Sequence, residues 1–479
     1  MQSLRKFTPV TSGLTLKQQS LCARTFACVL AFVLFAGTCF APATYANADV
    51  RRADVVYGAT VDSRGLSVAQ CPSIDAEHAF VMSSDGTVYF ERGATDEAQI
   101  ASITKIMTAI VALDAVNSGQ ATLETQVTVS ESAAAVGESS ASLQAGDTMT
   151  LETALYALLV PSGNDAAVAI AETIGAALQK AGVSGASAQD AFVTQMNTTA
   201  AKVGCTNTVY ENPHGLDFDE YAGNLHSTAR DQAFVVSYAM KNQTFRKIVS
   251  GGSCSVSVTR SGAATSIDLE TTDGFLELNE NAIGVKTGFT DLAGASFAAA
   301  VNKDGQELYA IVLNSTSESQ RFTDADTLVN WVFEHQTTYT LANSSTKSQY
   351  NGETVPVVAQ VSHADWLDKT IDATLENPSA TVNVFDLNGN ISEEVSYLDV
   401  TGNVYAGQVL GTITFKQRNE IVATQNIVAC KNVSAPGFLE GISIWWQRFF
   451  KGFSGEQTKA TSVLLNETPL INDKTKTTS

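Results

Sequence analysis

The sequence predicts an α+β protein: a module of helices and antiparallel strands, then a small β-domain and a C-terminal amphipathic helix. Three observations predict it. Apolar residues recur at helical spacing after Ser102. Hairpin signals sit at Asp85-Gly86 and Asp304-Gly305. Short alternating strands with no helical pattern fill the region after residue 350. With 44% hydrophobic and 16% charged residues, the 479-residue chain has the composition of a globular protein with large cores.

Residues 1–48 read as a secretory signal peptide. Arg5, Lys6, Lys17 and Arg24 precede an apolar run from Phe26 to Ala41, no acid occurs before Asp49, and Ala46-Asn47-Ala48 offers small residues at a cleavage point. The run is short for a membrane span, which takes about 20 residues. Cys39 raises a lipoprotein reading, but Gly37-Thr38 is a poor context for it. The segment removes basic residues and no acids, so the remainder is more acidic than the formal charge of −20 for the whole chain. That balance argues against nucleic acid as a partner. Cys71, Cys205, Cys254 and Cys430 remain, an even number that permits disulfides without assigning them.

Residues 49–75 read as an irregular lead-in, and Ala79 to Phe90 as a hairpin. From about Ser102 a helix is expected, with Ile103, Ile106, Met107, Ile110, Val111 and Leu113 at its spacing. Leu151 to Leu159, ending at Pro161, and Ala166 to Leu178 read as buried helices. Ser296 to Val301 and Glu307 to Asn314 form a second hairpin, which places Lys286-Thr287-Gly288 on a neighbouring strand. Phe322 to Phe333 closes the module, residues 49–337. Residues 338–352 are polar and read as a linker. Strands at Val355 to Val361, Thr381 to Phe385, Thr412 to Phe415 and Ile421 to Ile427 make a β-domain at 350–433.

Residues 437–453 are expected to form an amphipathic helix. Phe438, Trp445, Trp446, Phe449, Phe450 and Phe453 share one face, and Ile444 alone falls among the polar residues Glu440, Gln447 and Arg448. Such a helix rises about 24 Å, too little to cross a bilayer, and paired tryptophans suit the headgroup region. Residues 438–453 therefore point to a membrane surface as partner. Residues 454–479 read as a disordered tail.

The chemistry rests on Ser102-Ile103-Thr104-Lys105, Ser162-Gly163-Asn164 and Lys286-Thr287-Gly288. A serine is a weak nucleophile until a base takes its proton. A lysine three residues along a helix projects from nearly the same face. Ser344-Ser345-Thr346-Lys347 has the same spacing, but only Ser102 opens an apolar helix, where the helix N-terminus favours an oxyanion. Lys105 acts as a base only when neutral, through desolvation or a nearby cation, which Lys286 can supply. Alone, Ser162 or Asn164 would read as a helix cap. Gly288 is expected to let a substrate backbone lie close along its strand. The histidines, His78, His214, His226, His335 and His363, show no metal spacing, so no metal or other cofactor is expected. His214 reads as part of a structural turn, Asn212-Pro213-His214-Gly215.

These motifs in this order resemble the low-molecular-mass penicillin-binding proteins that are serine-type D-alanyl-D-alanine carboxypeptidases. The likeness extends to Leu143-Gln144-Ala145-Gly146-Asp147, Asn212-Pro213-His214-Gly215-Leu216-Asp217, Ser227-Thr228-Ala229-Arg230-Asp231 and, in the β-domain, Ala406-Gly407-Gln408-Val409-Leu410-Gly411. The resemblance implies a penicillin-recognising (β-lactamase/transpeptidase-like) catalytic domain, an antiparallel sheet with a helical subdomain and the site between them. It implies Ser102 as nucleophile, Lys105 as base, Ser162 as proton relay and Asn164 as orienting group. Lys286 would tune the electrostatics. Thr287 and Arg321 would meet the substrate carboxylate, and the backbone N–H groups of Ser102 and Phe289 would form the oxyanion hole. The implied reaction removes the terminal D-alanine of peptidoglycan stem pentapeptides at the outer face of the bacterial cytoplasmic membrane, with β-lactam antibiotics acylating the same serine. A class A-like β-lactamase is the rival enzyme, since Glu220-Tyr221-Ala222-Gly223-Asn224 mimics the spacing of its deacylating glutamate without the expected leucine. A non-catalytic wall-binding protein is the other rival, opposed by the intact serine and lysines.

Overall fold

A computed structural model describes residues 71–471 and the short strand β1 (Val55–Val56); the expected signal peptide lies outside the described residues. Strands β2 (His78–Ser83) and β3 (Val88–Arg92) form the first hairpin. A 3-10 turn, Ala101–Thr104, leads into helix α1 (Lys105–Asn117). Ile106, Met107, Ala109, Ile110, Val111 and Leu113 are all buried, so α1 is a core helix and not a half-exposed one. Around it pack α2 (Glu131–Ala135), α3 (Leu151–Leu159), α4 (Asn164–Lys180), α5 (Ala188–Lys202), α6 (Ala229–Ala239) and α7 (Gln243–Val249). Side-chain caps start several of them: Thr150 accepts from Thr153 N, Ser187 from Asp190 N and Thr228 from Asp231 N.

Strands β4 (Gln126–Thr128), β5 (Thr148–Thr150), β6 (Cys254–Arg260) and β7 (Ala263–Leu269) make a small sheet beside the helices. The short helix α8 (Phe275–Leu278) precedes β8 (Ala282–Gly288), β9 (Ala295–Lys303) and β10 (Gln306–Ser315). The main sheet has the order β1-β3-β2-β10-β9-β8 and is antiparallel throughout. Helix α9 (Gln320–Glu334) covers its other face through Ala325, Leu328, Val329 and Val332. The fold is the expected α+β arrangement, and it sets β8 at the sheet edge beside the turn that carries Ser102.

The linker reading of residues 338–352 is corrected. β11 (Gln336–Thr340) pairs with β16 (Thr381–Phe385), and β12 (Lys347–Tyr350) pairs with β13 (Glu353–Pro356). The β-rich region thus begins directly after α9. Its larger sheet, of order β17-β18-β19-β15-β14-β20, comprises β14 (Ala359–Ser362), β15 (Thr370–Leu375), β17 (Ile391–Tyr397), β18 (Val409–Gln417), β19 (Glu420–Ala429) and β20 (Val463–Leu464). Phe385 joins the two regions, 5.1 Å from the Tyr89 ring and 5.4 Å from Trp331. Cys205, Cys254 and Cys430 form no disulfide.

Helix α10 (Phe438–Ser454) has the expected two faces, and the stripe of Ile444 and Arg448 is turned toward the β-domain while Glu440, Ser443 and Gln447 stay exposed. Ile444 is buried, and Arg448 donates to the carbonyls of Ala364, Trp366 and Thr458. The aromatic face is open: Phe438, Trp445, Phe450 and Phe453 are all exposed. The expectation of a disordered tail is corrected over residues 455–471. After Gly455, in a left-handed cap, the chain returns as β20 on the edge of β14. Asn466 then accepts from Asn343 N at 2.8 Å and donates to Leu341 O at 2.7 Å and Glu393 Oε1 at 2.6 Å. Edge pairing and these side-chain bonds satisfy a backbone that the polar sequence alone would leave in water. Among the described residues no helix is long and apolar enough to cross a membrane.

Candidate active site

A cleft of about 480 Å³ opens where the 3-10 turn, the loop before α4 and the end of β8 converge. It brings together Ser102, Ser162, Asn164, Thr287, Gly288, Phe289 and Arg321. Lys105 and Lys286 stand behind this wall, both buried. The three motifs, separated by tens of residues, thus meet at one place.

Lys105 Nζ lies 2.6 Å from Ser102 Oγ and donates to the carbonyl of His214 at 3.0 Å. Burial holds the Lys105 amine well below the ordinary lysine range; the Lys286 charge lowers it further, and Asp165 opposes both. Lys286 is itself pushed down to about 7 by burial and by Arg321, with Asp273 acting in the opposite sense. An amine kept neutral within hydrogen-bond reach of a hydroxyl can take its proton.

The turn holding His214 is built by Asn212. Its Oδ1 accepts from His214 N at 3.2 Å and Gly215 N at 2.6 Å, and its Nδ2 donates to Leu216 O at 2.9 Å. Thr108 Oγ1 donates to Pro213 O at 2.5 Å, which ties the turn to α1. His214 is buried, and burial, helped by Lys105, pushes its imidazole down to about 3, so it is neutral and structural, as the sequence suggested.

Ser162 has a left-handed backbone, φ +65°, and its buried Oγ has no hydrogen-bond partner among the described residues. A non-glycine residue in this conformation is strained, and such strain often marks a functional site. Asn164 donates to Gly137 O at 3.0 Å, while its buried Oδ1 is unpartnered. The loop is held by Asp165, whose carboxylate accepts from Ser140 Oγ at 2.6 Å and from Ala141 N, Leu143 N and Ala166 N. Gly163 has no room for a side chain, since a Cβ would meet Ala157 O at 2.7 Å.

Gly288 lines the cleft and also governs the packing behind it. A Cβ there would meet Ile100 O at 2.6 Å and Ile103 at 3.2 Å, so the glycine lets β8 pack against the turn carrying Ser102. Arg321, in the first turn of α9, donates to Gly288 O at 3.3 Å and to Glu318 at 3.1 Å. Phe289 is half exposed at the mouth of the cleft.

Sequence reasoning missed Thr272 and Asp273. Thr272 lines the cleft, its Oγ1 is 2.8 Å from Thr287 Oγ1, and its N–H donates to Val160 O at 3.2 Å. Burial pushes the Asp273 carboxyl up to about 7 against the pull of Lys286 and Arg321. Asp217 and Thr290 also line the cleft, joined by a 2.8 Å hydrogen bond. The Gly-Leu-Asp run containing Asp217 carried a signal; Thr272-Asp273 carried none. Glu220, the residue that spacing offered to a β-lactamase, is exposed on a 3-10 turn and does not line the cleft.

A family profile described as D-alanyl-D-alanine carboxypeptidase, peptidase S11, matches residues 66–317. Relatives include the D-alanyl-D-alanine carboxypeptidase DacF of Bacillus subtilis, 26% identical over 389 residues, covering 80% of this chain and 90% of that protein. A D-alanyl-D-alanine carboxypeptidase of Streptomyces sp. (strain K15) is 34% identical over 269 residues, 55% of this chain and 88% of its own. Among solved structures, the Streptomyces DD-transpeptidase of that strain superposes with a TM-score of 0.51 at 32% identity, over 56% of this chain and all of its own. DacD of Francisella tularensis, at 20% identity and a TM-score of 0.52 over 78% of this chain and 98% of its own, shares the fold.

Proposed function

The chain belongs to the D-alanyl-D-alanine carboxypeptidase family of serine peptidases, and from that premise we propose how its residues remove the terminal D-alanine from peptidoglycan stem pentapeptides. The observation that carries the assignment is the 2.6 Å approach of a buried lysine amine to Ser102 Oγ, with a second lysine behind it.

The substrate carboxylate sits against Thr287 and Arg321 at the cationic end of the cleft. Ser102 Oγ attacks the penultimate carbonyl while its proton passes to Lys105. The oxyanion is met by the backbone N–H groups of Ser102 and Phe289. Ser162, whose hydroxyl has a vacant hydrogen-bonding capacity facing this space, relays the proton to the departing amine of D-alanine; Asn164 Oδ1 orients the peptide N–H. Water then enters, gives a proton back through Lys105, and hydrolyses the ester. A β-lactam carries a strained amide and a carboxylate in the same relation, and acylates Ser102 by the first half of this path. Burial keeps Lys105 neutral, and the charge of Lys286 adds to that effect.

The test is direct. Incubating the purified protein with a synthetic muropentapeptide is expected to yield a tetrapeptide lighter by one alanine residue, and prior treatment with penicillin to stop it. An unchanged pentapeptide sinks the assignment, and rapid steady hydrolysis of penicillin transfers it to the β-lactamase reading.

The protein works outside the cytoplasm, as a cell-wall peptidase must. We further infer that residues 1–48 direct export and that the exposed face of α10 seats the enzyme on the outer face of the cytoplasmic membrane. Support comes from the docking of Ile444 and Arg448 on the β-domain, which leaves Trp445, Trp446 and Phe450 exposed and packed on one another and on Phe449. Each large apolar side chain buried is worth about 1.5–3 kcal/mol. Trp445→Glu with Trp446→Glu is therefore expected to weaken cosedimentation with phosphatidylglycerol vesicles at least about 10-fold, leaving cleavage of soluble pentapeptide unchanged. Equal vesicle binding by wild type and variant would remove the helix from this role.

A further inference from the structure

The turn at residues 212–217 is attached to several parts of the site. Its His214 carbonyl accepts from Lys105 Nζ, its Pro213 carbonyl accepts from Thr108 Oγ1, and its Gly215 lies against Ala101 at the head of the Ser102 turn. One further attachment leaves from its last residue. Asp217 is only 4% exposed, and its Oδ2 accepts from Thr290 Oγ1 at 2.8 Å. Its Oδ1 is buried with no hydrogen-bond partner among the described residues, so the bond to Thr290 is what joins this side chain to another element.

Thr290 is buried as well, and its hydroxyl is used twice. It donates to Asp217 and accepts from Ala293 N at 3.0 Å, while the Thr290 carbonyl accepts from Gly294 N at 3.0 Å. The loop between β8 and β9 is thus folded on Thr290, and Thr290 is anchored to the turn that grips Lys105. Phe289 stands immediately before it. The Phe289 N–H shares a planar peptide unit with the Gly288 carbonyl, and in a trans unit the two point in opposite directions. Arg321 donates to that carbonyl at 3.3 Å, a long bond. The Phe289 ring is half exposed and gives little hold of its own. The shorter, buried tie lies one residue further on, at Thr290.

We propose that Asp217 is a positioning residue of the acyl-transfer site: through Thr290 it fixes the Phe289 N–H relative to the Ser102 turn, so that the two oxyanion donors keep one spacing. This rests on the roles assigned above to Ser102 and Phe289. The two donors belong to separate elements, one on the 3-10 turn and one past the end of β8, and the turn at 212–217 is attached to both. Asp217 acts through Thr290 and not on the substrate.

The experiment compares wild type with Asp217→Ala, Thr290→Val, their double variant and Asp217→Asn. Three quantities are read: kcat and KM for the pentapeptide, the melting temperature, and the ester carbonyl band of the Ser102 adduct. The band is taken by difference infrared spectroscopy with penicillin isotopically labelled at its lactam carbonyl. Donors in an oxyanion hole polarise that carbonyl and lower its frequency. A displacement of about 1 Å in such a geometry costs about 100-fold, so release of the tie is expected to lower kcat about 10-fold in Asp217→Ala and in Thr290→Val. KM is expected to stay within about 2-fold, since the lost interaction belongs to the transition state. In both variants the carbonyl band is expected to move to higher frequency. The double variant is expected to fall no further than the worse single one, because the two changes remove one bond. Asp217→Asn, whose amide oxygen can accept from Thr290, is expected to recover most of the rate and the wild-type band.

A purely structural role would lower the melting temperature and the folded fraction but leave the band and the kcat of the folded protein where they were. That result overturns the proposal, as does an Asn variant that behaves like the Ala variant. Should Asp217→Ala not fold, Thr290→Val carries the same test from the other side of the bond. A wild type that penicillin does not acylate would overturn the functional reading and this proposal together; an acylated wild type whose variants keep its band overturns only Asp217.

Discussion

Lys105→Met is expected to slow acylation of Ser102 by about 10³-fold or more without loss of fold. The side chain is buried, and its amine has two polar neighbours, Ser102 Oγ and His214 O. Methionine matches the length and flexibility of the lysine stem and supplies neither base nor charge. Burying an amine beside another cation is unfavourable, as the lowering of Lys105 by burial and Lys286 shows. The variant should therefore melt at or above the wild-type temperature while losing activity. Time-resolved mass spectrometry of the penicillin adduct, paired with calorimetry, reads both. An adduct that forms at close to the wild-type rate would take Lys105 out of the reaction.

Gly215→Ala is expected to destabilise the protein by at least about 3 kcal/mol, the sum of left-handed strain and overpacking. Gly215 has φ +93°, and a Cβ on it would lie 1.9 Å from Ala101 O and 2.4 Å from Ala101 C. Neither atom can retreat easily, because Ala101 is itself left-handed at φ +46° and opens the turn that carries Ser102. Any relief must move the His214 carbonyl or the Ser102 turn, so acylation should fall further than the unfolded fraction explains. Urea denaturation gives the stability, and penicillin labelling in the folded baseline gives the rest. Near-wild-type values for both would show that this turn is not what fixes the position of Lys105.

The parts of the fold that were legible are those whose signal is local. Helix α1 announced itself through Ile103, Ile106, Met107 and Ile110, and the two hairpins through Asp-Gly pairs. The lysine at three residues from Ser102 needed only one helical turn to be understood. Part of what escaped depends on distant partners. β11 is polar and short, and only pairing with the distant β16 makes it a strand; β12 and β13, by contrast, form a local hairpin across Asn351-Gly352 that the polar reading of 338–352 passed over. The hairpin β6–β7 is likewise an exception: exposed Ser255, Ser257 and Thr259 alternate with the less exposed Cys254, Val256 and Val258, a local strand signal that went unread. Thr272 has no periodicity and no motif; its place in the cleft comes from Val160 and Thr287, which chain closure brings to it. The close packing of Gly288 on the Ser102 turn was not legible, because the direction of a missing Cβ is a three-dimensional fact.

A helix fastened at one end swings about its attachment; fastened at both, it becomes a fixed blade. Strand β20 and the Asn466 bonds supply the second fastening of α10, and Arg448 rivets its inner side. Torque on the aromatic blade is therefore passed into the β14–β15 sheet and, through Phe385, to Trp331 and Tyr89. On the proposed seating of α10 at a membrane, the mouth of the cleft would keep one height and one heading, and chain severed after Gly455 is expected to give up that heading while keeping its chemistry.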